Sequence, residues 1–172
     1  MKIEIKSWMT GSLLFEGDFS CIADAVKAAI KSSVDLRSVD LRFVDLRFAD
    51  LRSANLSSAD LRSADLSSAD LRFADLSSAN LSSANLRSAD LSFGKIKNIE
   101  RPFFQISPLG AEARQLLAFD TDKGICLMTG CFTGGVREFK IALAEKHGTN
   151  DTAKEYLLAI ELIENHFKIW SE

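Results

Sequence analysis

Cys131 and His147 are the residue types of a thiol nucleophile and its general base. Such chemistry needs the imidazole within hydrogen-bond reach of the sulfur and a third group to orient it. Neither residue sits in a recognisable motif, and the two fall in different expected elements. They read as a buried thiol and a helix-end imidazole. "DTDKG" at 120–124 resembles the start of a calcium loop, but the third acidic ligand and the terminal Glu are missing, so it reads as a hairpin turn. His166 has no partner for a metal site. The chain has no phosphate loop, no dinucleotide fingerprint and no carboxylate pair with an evident cleft. The expectation is a protein that is not an enzyme and takes no cofactor or metal.

The bulk properties agree. A formal net charge of −3 over 172 residues is unlike the strongly basic surface of a nucleic-acid binder. Three cysteines, Cys21, Cys126 and Cys131, lack the CxxC spacing of a zinc site or disulfide framework. With no signal-peptide core and no long apolar run, the expectation is a reduced, soluble, cytoplasmic protein, the host cytoplasm if it is phage-encoded.

The elements that must position any site fall into three parts. Residues 1–33 read as a short hairpin, "KIEIKSW" and "SLLFEGDF" flanking "MTG", then a helix over 20–32 opened by Ser20. The helix has one apolar face of Ile22, Ala25, Val26, Ala29 and Ile30. Residues 34–93 are twelve unbroken pentads, with Leu at 36 and every fifth position to 91. The repeat decays through residue 98, and 99–172 is a different, mixed sequence.

A period of five suits neither regular element. Every fifth helical position drifts by about 140°, so no apolar face forms. Along a continuous strand successive Leu residues would point to opposite sides. Val or Ala stands two residues before each Leu, with Asp or Asn between them. In a three-residue extended segment Val/Ala and Leu point inward while Asp/Asn points out, and the next two residues make a corner. The pattern is that of a solenoid, whose stacked coils pair each short strand with those above and below.

The units "ADLRS", "ANLSS" and "ADLRF" resemble the A(D/N)LXX units of pentapeptide-repeat proteins. The resemblance implies a mainly β fold, a right-handed quadrilateral β-helix with four pentads per coil, here about three coils. Many members carry Gly in the fifth place, whereas these pentads carry Ser or Phe; the absence of Gly favours turns that avoid positive φ. Four pentads per coil puts residues twenty apart in one column. One face then carries Asp50, Asp70 and Asp90, with Arg52 and Arg72 beside them and Phe73 over Phe93, a candidate partner surface. Phe43 and Phe48 sit on adjacent corners, where they pack under the N-terminal helix or meet a partner, and the sequence does not decide between the two.

Open solenoid ends expose unpaired edges and core, so both ends need lids. The helix at 20–32 is placed for one end and an α+β module, 99–172, for the other. In that module "FFQIS" and "RQLLAFDT–DKG–ICLMTGCF" read as strands. Thr133 and the glycines at 134–135 open a helix, "VREFKIALAEK", that stops at Gly148. Thr152 to Glu155 form a capping box for the last helix. Its stripe of Tyr156, Ile160, Ile163, Phe167 and Trp170, spaced by fours and threes, packs on the 136–147 helix or forms the seam of a homodimer. The tail weakly resembles those of phage- and prophage-encoded pentapeptide-repeat proteins.

The functional expectation is a protein-interaction module, a phage or prophage accessory protein that binds a host protein. The runner-up comes from family members that resemble duplex DNA and occupy topoisomerases. Three coils at ~4.8 Å make a shaft of ~15 Å, along which B-DNA would show roughly nine negative charges. Residues 34–93 hold nine Asp but also seven Arg. That self-neutralisation counts against mimicry. An enzyme built on the tail stands third.

Overall fold

The computed structural model describes residues 1–98, 101–130 and 132–170. The chain divides into two compact units, Met1–Ser92 and Phe93–Glu172.

In the first unit, β1 (Lys2–Lys6) and β2 (Leu13–Asp18) pair antiparallel as the alternation of Ile3 and Ile5 with charged residues predicts. Helix α1 (Ile22–Lys31) packs on this hairpin through Ala23, Ala25, Val26 and Ala29. Cys21, not Ser20, is its N-cap, and it makes no side-chain cap bond; the Ser20 hydroxyl donates instead to Asp24. The hairpin is tied to the first pentads by Trp8. Its backbone N–H donates to the Ser38 carbonyl at 2.9 Å, and its indole N–H to the Ser58 carbonyl at 2.7 Å.

The pentads pair in parallel with partners twenty residues on, from Asp40 with Asp60 to Asp70 with Asp90. The repeating unit of hydrogen bonding is uniform. Leu51 N–H donates to the Asp70 carbonyl and Asp70 N–H to the Ala49 carbonyl, both at 2.9 Å, and every neighbouring pentad repeats the pattern. Backbone groups that a lone three-residue strand would leave open are thereby satisfied. All twelve Leu side chains from Leu36 to Leu91 are buried. So are the Val and Ala positions between Val39 and Ala89, apart from the half-buried Ala84; Val34 is half-buried too.

The corners overturn one expectation. The fifth residue of every pentad from Ser38 to Ser88 has positive φ, 54° to 63°, although none is Gly. In each corner a bond such as Ala54 N–H to the Leu51 carbonyl, 3.1 Å, spans the turn, and φ > 0 at its third residue is what a type II turn requires. The stacking explains why L-residues accept this conformation. The N–H of Ser53 donates to the Arg72 carbonyl in the next layer, and every corner from Ser38 to Ser68 makes the equivalent bond. Neighbouring layers over-determine a backbone that would be strained alone.

The second unit has a four-stranded antiparallel meander: β3 (Phe103–Leu109), β4 (Arg114–Thr121), β5 (Gly124–Thr129) and β6 (Phe132–Gly135). Two helices follow, α2 (Val136–His147) and α3 (Asp151–Trp170). Leu116, Ala118 and Leu127 of the sheet meet Phe139 and Leu143 of α2 and the inner face of α3 in one core. The turn at 122–123 joins β4 to β5 as expected. The strand read straight through 132 instead folds back: Thr129 pairs with Phe132, and the glycines at 134–135 end β6 while Gly135 is also the N-cap that opens α2, as expected. A Cβ on Gly135 would stand 2.6 Å from Glu138 Oε2, so a side chain there would require the flexible Glu138 carboxylate to move aside.

The start of α3 also differs. Asn150 is the cap, its Oδ1 accepting from Ala153 N–H at 2.9 Å. Thr152 and Glu155, the expected capping box, instead hold the β3–β4 turn. Glu155 Oε2 accepts from Gly110 N–H at 2.7 Å and Thr152 Oγ1 from Ala111 N–H at 3.4 Å. Among the described residues, no helix is long and apolar enough to cross a membrane.

Candidate binding surfaces

The Asp–Leu–Arg phrase builds the same small device wherever it occurs. Asp50 Oδ1 accepts from the backbone N–H of Arg52 at 3.3 Å, which sets the turn. The Arg52 side chain then folds back on the same carboxylate, Nε at 2.8 Å and Nη2 at 2.7 Å. Arg72 treats Asp70 the same way, at 2.9 and 2.6 Å. Where Ser replaces Arg its hydroxyl takes over, as when Ser82 donates to Asn80 at 2.7 Å. The Arg side chain and backbone N–H hold the Asp50 carboxyl down to about 2, and those of Arg47 do the same for Asp45. The carboxylates are therefore ionised, oriented and already partnered. Arg52 also reaches to within 3.7 Å of Asp70 in the next layer, which ties layers together along the column.

The Asp50/Asp70/Asp90 column is thus present, each bonded to the next through the backbone. Beside it lies an open groove of about 600 Å³ lined by Asp50, Arg52, Arg72 and Phe73 with Lys27 and Lys31 of α1. Phe73 is 76% exposed at φ 63°. Phe43 and Phe48 are exposed to 78% and 76%, so of the two alternatives they do not pack under the helix. A corner side chain on a positive-φ residue points away from the core that the Leu and Ala positions fill. Phe93 is not an exposed anchor. It belongs to the second unit, is half-buried, and sits where a Cβ on Gly135 would come within 3.4 Å of its ring.

The stripe on α3 is inside the second unit. Tyr156, Ile160, Ile163 and Phe167 are at most 5% exposed, packed on the sheet as well as on α2, and Trp170 is half-buried with Arg101 over its ring at 4.1 Å. Burial within the chain's own core removes these side chains from any dimer seam. The fours-and-threes spacing marks a buried helix face equally well, which is why the sequence did not separate the two.

Cys131 lies outside the described residues. Cys126 is buried in β5, and burial pushes its thiol up to about 12, the reverse of nucleophile activation. His166 lies between Phe104 and Phe167, its ring 4.4 and 5.3 Å from theirs; burial, then the nearby Arg101, lowers its pKa. Among the described residues, no three His, Cys, Asp or Glu side chains gather as a metal site would need. The "DTDKG" carboxylates are structural: Asp120 meets Lys97 Nζ at 2.8 Å and Asp122 accepts from Lys95 N–H at 2.8 Å.

One cavity was not foreseen. The second unit holds a half-open cavity of about 500 Å³ between the β3–β4 turn, the end of β5, the start of β6, α2 and the first turns of α3. Its walls include Leu109, Phe132, Phe139 and Tyr156, and Arg114, Lys146, His147 and Glu112 line it too. No spacing in the sequence announces it, because its residues come from six elements that only the tertiary fold brings together.

No curated protein matches the chain. The family model described as pentapeptide repeats (8 copies) matches residues 32–67 and again residues 64–98.

Proposed function

We propose, from the premise that residues 32–98 are pentapeptide repeats, that the protein is a non-enzymatic interaction module whose repeat unit presents a right-handed quadrilateral β-helix of about three coils to a protein partner. Pairing at a spacing of twenty residues supports four pentads per coil. The observation that carries the interaction reading is the exposure of Phe43, Phe48 and Phe73 at 76–78%. Ser serves at the same corner position elsewhere, so the fold does not need aromatic rings there. Bulky residues at positive φ are uncommon, and exposed aromatic side chains are typical binding anchors.

The groove beside Phe73 favours an acidic partner segment that carries an apolar side chain. Lys27, Lys31, Arg52 and Arg72 line it; Arg52 and Arg72 are held by Asp50 and Asp70, and the two lysines of α1, Lys27 with Asp24 at 3.8 Å, add positive charge along its wall. The same surface weighs against DNA mimicry, since the Asp column is covered by its own arginines. A host protein as partner of a phage-encoded module is the biological setting that the resemblance of the tail suggests.

The test begins with capture from lysate and continues with the captured partner. Phe48→Ser/Phe73→Ser should weaken its binding at least tenfold, while Asp50→Asn/Asp70→Asn/Asp90→Asn leaves it within about threefold. The reverse outcome, with steep loss of affinity in salt, returns mimicry to the front.

A further inference from the structure

We propose that the cavity in the second unit is a binding site for a small apolar molecule bearing a single anionic group, such as an aryl or alkyl carboxylate. Its volume, about 500 Å³, falls within the usual range of about 300–1,000 Å³ for small-molecule sites. Its exposed lining is mainly carbon, with Phe132, Phe139 and Tyr156 forming an aromatic wall: Phe139 meets Phe132 edge-on at 4.9 Å and Tyr156 at 5.6 Å. Those rings hold one another in place, so the apolar end is preformed.

The polar groups converge from the other side. Arg114 and Lys146 supply two permanent positive charges and Glu112 one negative charge, with His147 adjacent. Glu112 is salt-bridged to Arg114. Among the described residues Lys146 makes no salt bridge. Hydrogen bonding and charge from Arg114, then the charges of Lys146 and His147, lower the Glu112 pKa, so the cavity mouth stabilises negative charge. Thr129 lines the same cavity, and its Oγ1 is buried with no hydrogen-bond partner among the described residues. An unsatisfied buried hydroxyl is costly.

This site is independent of the repeat face, so it stands whatever becomes of the interaction reading. The full-length protein is titrated with two fluorescent probes of one skeleton, anilinonaphthalene sulfonate and the uncharged phenylnaphthylamine. The sulfonate should bind one to one and at least about tenfold tighter than the neutral amine. Lys146→Gln, an exposed change, should cut that preference to about threefold or less. Ala142→Phe, which fills the cavity from α2, should abolish binding of both probes with the circular dichroism unchanged. Ala142→Leu provides a second route if the larger side chain perturbs the fold: it should weaken both probes several-fold. Equal affinity for both probes, no binding to the unmodified protein, or full binding by a folded Ala142→Phe variant would each overturn the assignment.

Discussion

The two units solve the same problem, burying apolar surface and satisfying backbone polar groups, by opposite means. In Met1–Ser92 one five-residue solution is repeated, and a residue's role follows from its place in the pentad: Leu and Ala inward, Asp on the turn, Ser or Phe at the corner. In Phe93–Glu172 each contact is made once, between residues far apart in the chain, as when Glu155 holds Gly110. The first arrangement leaves a regular outer surface on which departures from the pattern stand out. The second produces a half-open cavity lined by six elements. Regularity yields surfaces, and heterogeneity yields pockets.

The largest test of that contrast is core truncation. Leu61 and Leu66 are both fully buried, one pentad apart. Leu61→Ala and Leu66→Ala should each cost about 2–5 kcal/mol, and the two values should agree within about 1 kcal/mol because their surroundings are equivalent. Chemical denaturation measures both, and a wide divergence would break the equivalence of positions.

A smaller effect separates roles in the second unit. Asn150→Ala removes the helix cap and should cost about 0.5–2 kcal/mol. Thr152→Ala, at the expected capping-box position, should cost less, since its 3.4 Å contact serves the 110–113 turn and not the helix end. Unfolding midpoints of the two variants decide the assignment.

The smallest effect concerns the corners. Ser63 has φ 57°, and a left-handed L-residue is disfavoured by roughly 1–2 kcal/mol relative to its right-handed form. Glycine removes that strain but adds unfolded-chain entropy of about 0.4–1 kcal/mol. Ser63→Gly should therefore stabilise by about 0.5–1 kcal/mol, read from the same denaturation curves. A glycine of the second unit shows the contrast, since Gly110 also has positive φ, but a Cβ there would come within 2.9 Å of Thr152 and 3.0 Å of Tyr156.

How far the chain was legible follows the same division. The repeat announces its inward positions because Leu and Val/Ala recur at fixed offsets, and every one of those Leu residues is buried. The hairpin, α1, α2 and α3 were legible from periodicity, as was the 122–123 turn. The corner conformation was misread because residue type was weighed without the layer-to-layer bonds that hold Ser53 and its equivalents. The cap of α3 was misread because Thr152 and Glu155 fit a local motif, while their tertiary partner, the turn at Gly110, lies over forty residues away. Of the candidate surface, Asp50, Asp70, Arg52, Arg72 and Phe73 lie together, whereas Phe93 faces its own unit. The cavity left no local trace at all.

Pairing at intervals of twenty residues has a consequence for how such a chain changes over generations. A gene that spells nearly the same five codons twelve times invites slippage and unequal exchange between copies. Loss of a single pentad would leave every Leu facing inward, so the product would still fold. If it fell between Arg52 and Arg72, it would also break their spacing of twenty and take them out of one column. Loss of four pentads together would restore the alignment and shorten only the stack. The reading frame of the fold is thus five residues for stability and twenty for recognition, and selection for a binding face should be visible as indels in multiples of the larger number.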